Sequence, residues 1–135
     1  MNLPLTLLGS GLALVAALVH VYIFVVESLL WRRPATRRIF GVRSEADAET
    51  LRPMAYNQGF YNLFLALGVI VGLLLLASGD LGQAGLALVL FALASMVLAA
   101  LVLVTSNRRM LRAALMQGAA PAVGVLAFVL AAVLG

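Results

Sequence analysis

Four long apolar runs alternate with short polar segments along this chain. From Met1 to Val26 the only Asp, Glu, Lys, Arg or His is His20, and Met54–Gly79, Leu81–Thr105 and Ala113–Gly135 contain none. A helix needs about 20 predominantly apolar residues to span the bilayer core, and each run reaches that length. The pattern predicts an all-α membrane protein: a four-transmembrane helix bundle in a single domain over residues 1–135. Its spans fall at about 3–31, 54–78, 82–105 and 111–134.

The boundaries carry their own signals. Pro4 suits a first helical turn, where its missing N–H costs nothing. Trp31, followed by Arg32 and Arg33, has the form of a membrane-interface anchor, and Pro34 ends the first helix. Ser44 with Asp47 three residues on resembles a capping box. This predicts a short interfacial helix near Ser44–Arg52 in the first loop, with Glu45, Asp47 and Glu49 pairing with neighbouring arginines. The second span then starts near Pro53. Gly68 and Gly72 give it a small-xxx-small spacing that lets helix backbones approach closely. The third span is almost without polar side chains and reads as scaffold or lipid-facing wall. Pro121 removes a backbone hydrogen bond inside the fourth, which predicts a kink there.

Composition agrees with a hydrocarbon solvent. The chain is 64% hydrophobic and 10% charged, against about 25% charged residues in a soluble domain. The formal charge is +4 and every basic residue is arginine. Arg32, Arg33, Arg37, Arg38, Arg43 and Arg52 lie between the first and second spans, and Arg108, Arg109 and Arg112 between the third and fourth. The Ser78–Gln83 loop has none. Arginine-rich loops stay in the cytoplasm, so both termini are expected on the far side. The arginines lack the interleaved aromatics of a nucleic-acid surface and suit anionic lipid headgroups instead. Membrane lipids are thus the expected partners, with no nucleic acid. No cysteine is present, so thiol and disulfide chemistry is excluded. No basic residue precedes the first apolar run, which reads as a retained span rather than a signal peptide.

Polar side chains inside spans are costly and mark sites or contacts. On an α-helix His20, Phe24, Glu27 and Trp31 share one face, at spacings of four, three and four. Asn57, Gln58, Tyr61 and Asn62 occupy the first turns of the second span, and Gln117 sits near the start of the fourth. Ser106 and Asn107 close the third. The predicted topology places His20, Glu27, Asn57, Gln58, Tyr61, Asn62, Asn107 and Gln117 in the cytoplasmic half, which points to a polar cavity there. Each has a plainer reading: Glu27 pairing with Arg32, His20 satisfied by one neighbouring carbonyl, Asn57 as a helix cap, Asn62 and Gln117 as interhelical hydrogen bonds. One His and one Glu seven residues apart lack the remaining ligands zinc takes, so no metal or other cofactor is expected.

His20-Val21-Tyr22-Ile23, Glu27, Trp31, Arg38-Ile39-Phe40-Gly41, Glu49-Thr50, the string Asn57-Gln58-Gly59-Phe60-Tyr61-Asn62 and Gln117-Gly118-Ala119-Ala120-Pro121-Ala122 resemble the bacterial membrane proteins grouped as domain of unknown function 1304. The resemblance covers nearly the whole chain. It implies a four-span bacterial membrane protein and lends no activity; the cytoplasmic (inner) membrane is the expected location. Arg52 with Asn57 and Asn62 is also loosely similar to the glutathione-transferase-like membrane proteins of eicosanoid metabolism. The string departs from their Arg and Glu pattern.

Three functions follow from the polar set. The first is binding or moving a small polar or amphipathic, lipid-like molecule in a cytoplasm-facing intramembrane pocket. His20 and Glu27 would contact its polar part, and Asn57, Gln58, Tyr61, Asn62 and Gln117 would orient it. The second is a membrane-embedded enzyme with His20, or Glu27, as acid/base. The third is a structural role, with the amides and Gly68/Gly72 building a homo-oligomer.

Overall fold

Inside a membrane every backbone N–H and C=O must be satisfied within the protein, which favours unbroken helices for long apolar runs. The computed structural model describes residues 1–135 and contains only helices. They are α1 (Leu3–Phe24), α2 (Pro34–Ile39), α3 (Glu45–Ala77), α4 (Gly82–Ser106) and α5 (Leu111–Val133). A π-helical turn, Val25–Leu29, extends α1, and a 3₁₀ turn, Arg108–Met110, leads into α5. Four segments are long and apolar enough to cross a membrane: Leu3–Leu29, Glu45–Ala77, Gly82–Ser106 and Arg108–Val133.

The first loop differs from the sequence reading. The short helix lies earlier, at α2, and the segment expected as a separate interfacial helix is the first part of α3. Ser44 does cap it, its Oγ accepting from the Asp47 N–H at 3.0 Å. The chain then runs helically through Pro53 instead of restarting there. The proline removes only the N–H that would bond Glu49, and the surrounding turns hold the helix together. At 33 residues α3 is about 50 Å long, well beyond the roughly 30 Å of a hydrocarbon core. Its charged first turns therefore extend past the apolar stretch that begins at Met54.

The first helix also departs from expectation before Trp31. Instead of α-helix to the end, the backbone widens, and the Leu30 N–H donates to the Val25 C=O at 2.9 Å, five residues back. The wider turn rotates Glu27 and Ser28 out of the phase that a continuous α-helix would give them.

Cα packing divides the chain into two compact units: Met1–Val19 with Leu65–Gly135, and His20–Phe64. In the larger unit α4 is packed against neighbours on more than one side, in keeping with the scaffold reading, and still exposes Phe91, Leu98 and Val102. Its buried Gly85, Val89, Ala92, Leu93, Met96 and Ala100 face α3 and α5. A Cβ on Gly85 would strike the Leu76 N–H and the Gly72 C=O, and one on Gly72 would meet Val89 and the Gly85 C=O. The expected close approach at Gly72 is present, with Gly85 as its partner. Gly68 is looser, its nearest neighbour being the Ala92 Cβ at 3.8 Å from an added Cβ. Hairpin closure needs Gly79, whose φ of 78° lies in the left-handed region. On the other side Phe128 fills the space left by Gly9, and Leu93 meets Gly124. α5 runs unbroken through Pro121, which is fully buried. Interior positions are mostly small (Ala13, Ala16, Ala92, Ala127 and Ala131), while Leu7, Leu18, Phe91, Leu98 and Val102 are exposed. Small inside and large apolar outside is how helices pack when the solvent is lipid.

Candidate functional site

In the smaller unit, His20–Phe64, side-chain hydrogen bonds cross from one segment to another. The unit is built where the π turn meets the first turns of the apolar part of α3. Tyr56, Gly59 and Asn62, three residues apart, form one face of α3. The Ser28 hydroxyl donates to the Tyr56 C=O at 2.9 Å. The Asn62 Nδ2 donates to Glu27 Oε2 at 3.1 Å and to the Gln58 C=O at 3.0 Å. Gly59 lies between these two links. A Cβ there would run into the Ser28 Oγ and come within 3.2 Å of both the Glu27 Cβ and the Phe24 C=O. The glycine allows the approach, and the approach brings the polar groups within reach.

Aromatic rings border this seam. Phe60 packs edge-on against Phe24 with centroids 5.1 Å apart, and tilted against Tyr56 at 5.0 Å and Phe64 at 6.2 Å. Farther along, Trp31 is 6% exposed, and its Nε1–H donates to the Ala48 C=O at 2.8 Å. Its ring meets Phe40 at 5.5 Å. The Trp31 ring is thus packed inside the protein rather than presented on its surface. It bolts the start of α3 to the segment that follows α1, because a buried indole N–H requires an acceptor.

The sequence-predicted residues separate into three groups. Glu27 and Asn62 come together, both half-buried. His20 is 1% exposed and has its partner inside the protein. Asn57, Gln58 and Tyr61 are exposed on α3. Gln117 is half-buried on α5, in the larger unit. Asn107, also there, accepts from the Arg109 N–H at 3.1 Å and so caps the 3₁₀ turn.

The ion pairs are redistributed as well. Arg32 pairs with Glu49 at 3.7 Å, not with Glu27, and Arg52 reaches the same carboxylate at 3.6 Å. Of the three acids expected to pair with arginines, Glu49 takes both partners. Two further residues of the seam, Ser28 and Gly59, escaped the sequence reading. Each had a signal: Ser28 adjoins Glu27 as a second polar side chain in one turn, and Gly59 sits inside the polar string.

The sequence model of a family described as Protein of unknown function (DUF1304) matches residues 14–129. Its span includes the π turn, the Glu27–Asn62 link and Gln117. No curated protein and no solved structure matches the chain.

Proposed function

We propose a function from one premise: this chain belongs to the family described as Protein of unknown function (DUF1304), a description that brings no activity with it. It is a multi-pass protein of a bacterial cytoplasmic membrane that binds the polar end of a small amphipathic, lipid-like molecule at Glu27 and Asn62. The arginine distribution supports an orientation with Arg32–Arg52 and Arg108–Arg112 on the cytoplasmic side and both termini on the other.

One observation carries the reading. A carboxylate within an apolar helix that can cross a membrane is expensive. Glu27 is such a group, and it is steadied by an amide while the nearby arginines Arg32 and Arg52 are both held by Glu49. A purely structural carboxylate in this setting would be expected to take a cation from its own chain. The exposed side chains of Tyr56, Tyr61 and Phe64 on α3 offer apolar surface for a tail, and Asn57 and Gln58 offer further polar contacts. His20 is buried and already partnered, so the exposed contacts fall to α3 instead. The glycine-built oligomer finds less support, because Gly72 spends its close approach on Gly85 of the same chain.

The test is mass spectrometry of the lipids and small molecules that co-purify with the protein, compared with Glu27→Ala and Asn62→Ala. A defined species present in the wild type and depleted about tenfold in both variants is expected, the effect of losing one hydrogen bond to a charged group. Identical lipid profiles in all three samples would discard the binding reading.

A further inference from the structure

The donors of the three side chains that build the seam, Asn62, Ser28 and Trp31, are already spent. The two Nδ2 hydrogens of Asn62 go to Glu27 Oε2 and the Gln58 C=O. The Ser28 hydroxyl proton goes to the Tyr56 C=O, and the Trp31 Nε1–H to the Ala48 C=O. What the site presents to an incoming group is therefore acceptors: the remaining lone pairs of the Glu27 carboxylate, the Asn62 Oδ1 and the Ser28 Oγ. Gly59 adds no side chain between them. Arg32 and Arg52, which flank the seam in sequence, are turned onto Glu49. A phosphate or carboxylate would meet the lone pairs of Glu27, Asn62 and Ser28 and be repelled by the Glu27 carboxylate. A group that is both positively charged and rich in N–H donors matches the site on both counts, and a charge-assisted hydrogen bond gains most where water is scarce.

We propose that the polar end recognised at Glu27, Asn62 and Ser28 is a primary ammonium group, as carried by an aminophospholipid headgroup or by a free alkylamine. This rests on the binding reading above and names its ligand class. The ammonium gives one N–H to the Glu27 carboxylate and a second to the Asn62 Oδ1. The Asn62 amide, anchored by Gln58 and Glu27, keeps both acceptors in place.

The experiment uses the full chain in detergent, re-lipidated with phosphatidylethanolamine or phosphatidylglycerol of matched acyl chains, with retained lipid counted by native mass spectrometry. Phosphatidylethanolamine is expected to be retained about tenfold or more over phosphatidylglycerol. Glu27→Gln presents an amide where the carboxylate was and should abolish that preference, whereas Glu27→Asp keeps the charge and should retain part of it. Ethanolamine added to lipid-stripped protein separates the two sources: Glu27-dependent stabilisation by ethanolamine alone supports a free amine, and none supports the headgroup. Either result upholds ammonium recognition. Equal retention of the two lipids overturns it, as does equal stabilisation by sodium chloride. The wild-type comparison decides the matter even if a variant fails to fold. A Glu27-dependent species lacking an amine would keep the binding reading and overturn this one, while no Glu27-dependent species at all removes the binding reading itself.

Discussion

Hydroxyl and amide side chains behave differently in the two packing units. In Met1–Val19 with Leu65–Gly135 they turn back on their own helix: Ser95 to the Phe91 C=O at 2.8 Å, Thr105 to the Leu101 C=O at 2.8 Å, Ser106 to the Leu103 C=O at 3.0 Å. In His20–Phe64 Thr50 also turns back, to the Ala46 C=O, but the Ser28 hydroxyl, the Asn62 amide and the Trp31 indole cross to another segment, at Tyr56, Glu27 and Ala48. The larger unit is held by close backbone approach and dispersion between small residues. The smaller one is held by directed polar links with aromatic rings around them. Lipid tails match an apolar helix surface in polarity, so shape alone must drive the first kind of contact. The second kind allows a polar group to be kept inside a span, and that is where a site can be placed.

Substitutions should tell the two kinds of packing apart. The largest effect is expected for Gly85→Leu. Its Cβ would meet backbone atoms of Gly72 and Leu76, which cannot move aside without parting α3 from α4. A loss of about 3 kcal/mol is expected, at the upper end of overpacking penalties. Unfolding in a graded SDS and mild-detergent mixture measures it. A variant as stable as the wild type would mean that the hairpin is not packed at Gly72 and Gly85.

Gly59→Ala should cost less, about 1–2 kcal/mol, because the nearest atom it strikes is the end of the Ser28 side chain, while the Phe24 C=O and Glu27 Cβ stand farther off at 3.2 Å. Rotating Ser28 away breaks its bond to Tyr56. Adding Ser28→Ala removes the nearest of the three contacts and leaves those with the Glu27 Cβ and the Phe24 C=O, so the double variant should be more stable than the sum of the single effects predicts. Strict additivity in that cycle would show that Gly59 and Ser28 do not share the seam. Ser95→Ala should be the smallest change, within about 0.5 kcal/mol, since its hydroxyl serves only its own helix. A cost as large as that of Ser28→Ala would erase the distinction between the units.

The spans were legible because hydropathy over about 20 residues is a local property of the chain. Start and end signals were partly legible. Ser44 capped as expected, while Pro53 did not restart a helix, because a single missing N–H is outweighed by the bonds on either side. Glu27 and Asn62 were both visible as polar residues in apolar helices. Their pairing was not, since it spans 35 residues in sequence and depends on a π turn that no side-chain pattern announces. The same holds for Trp31: its flanking arginines suggested an interface, and only the path of the chain through α2 brought the Ala48 carbonyl to its indole.

The sequence by itself determined that this chain is helical, that four segments suit a bilayer, and that its polar side chains gather near a few turns. Those properties follow from apolar run length and from which residues are polar, and both are written in the chain. Only the tertiary structure decided which polar groups face each other. That depends on the width of one helical turn and on two glycine approaches, at Gly59 and at Gly72 with Gly85. At these points a single Cβ sets whether backbones come close enough for a hydrogen bond or a tight apolar contact to form.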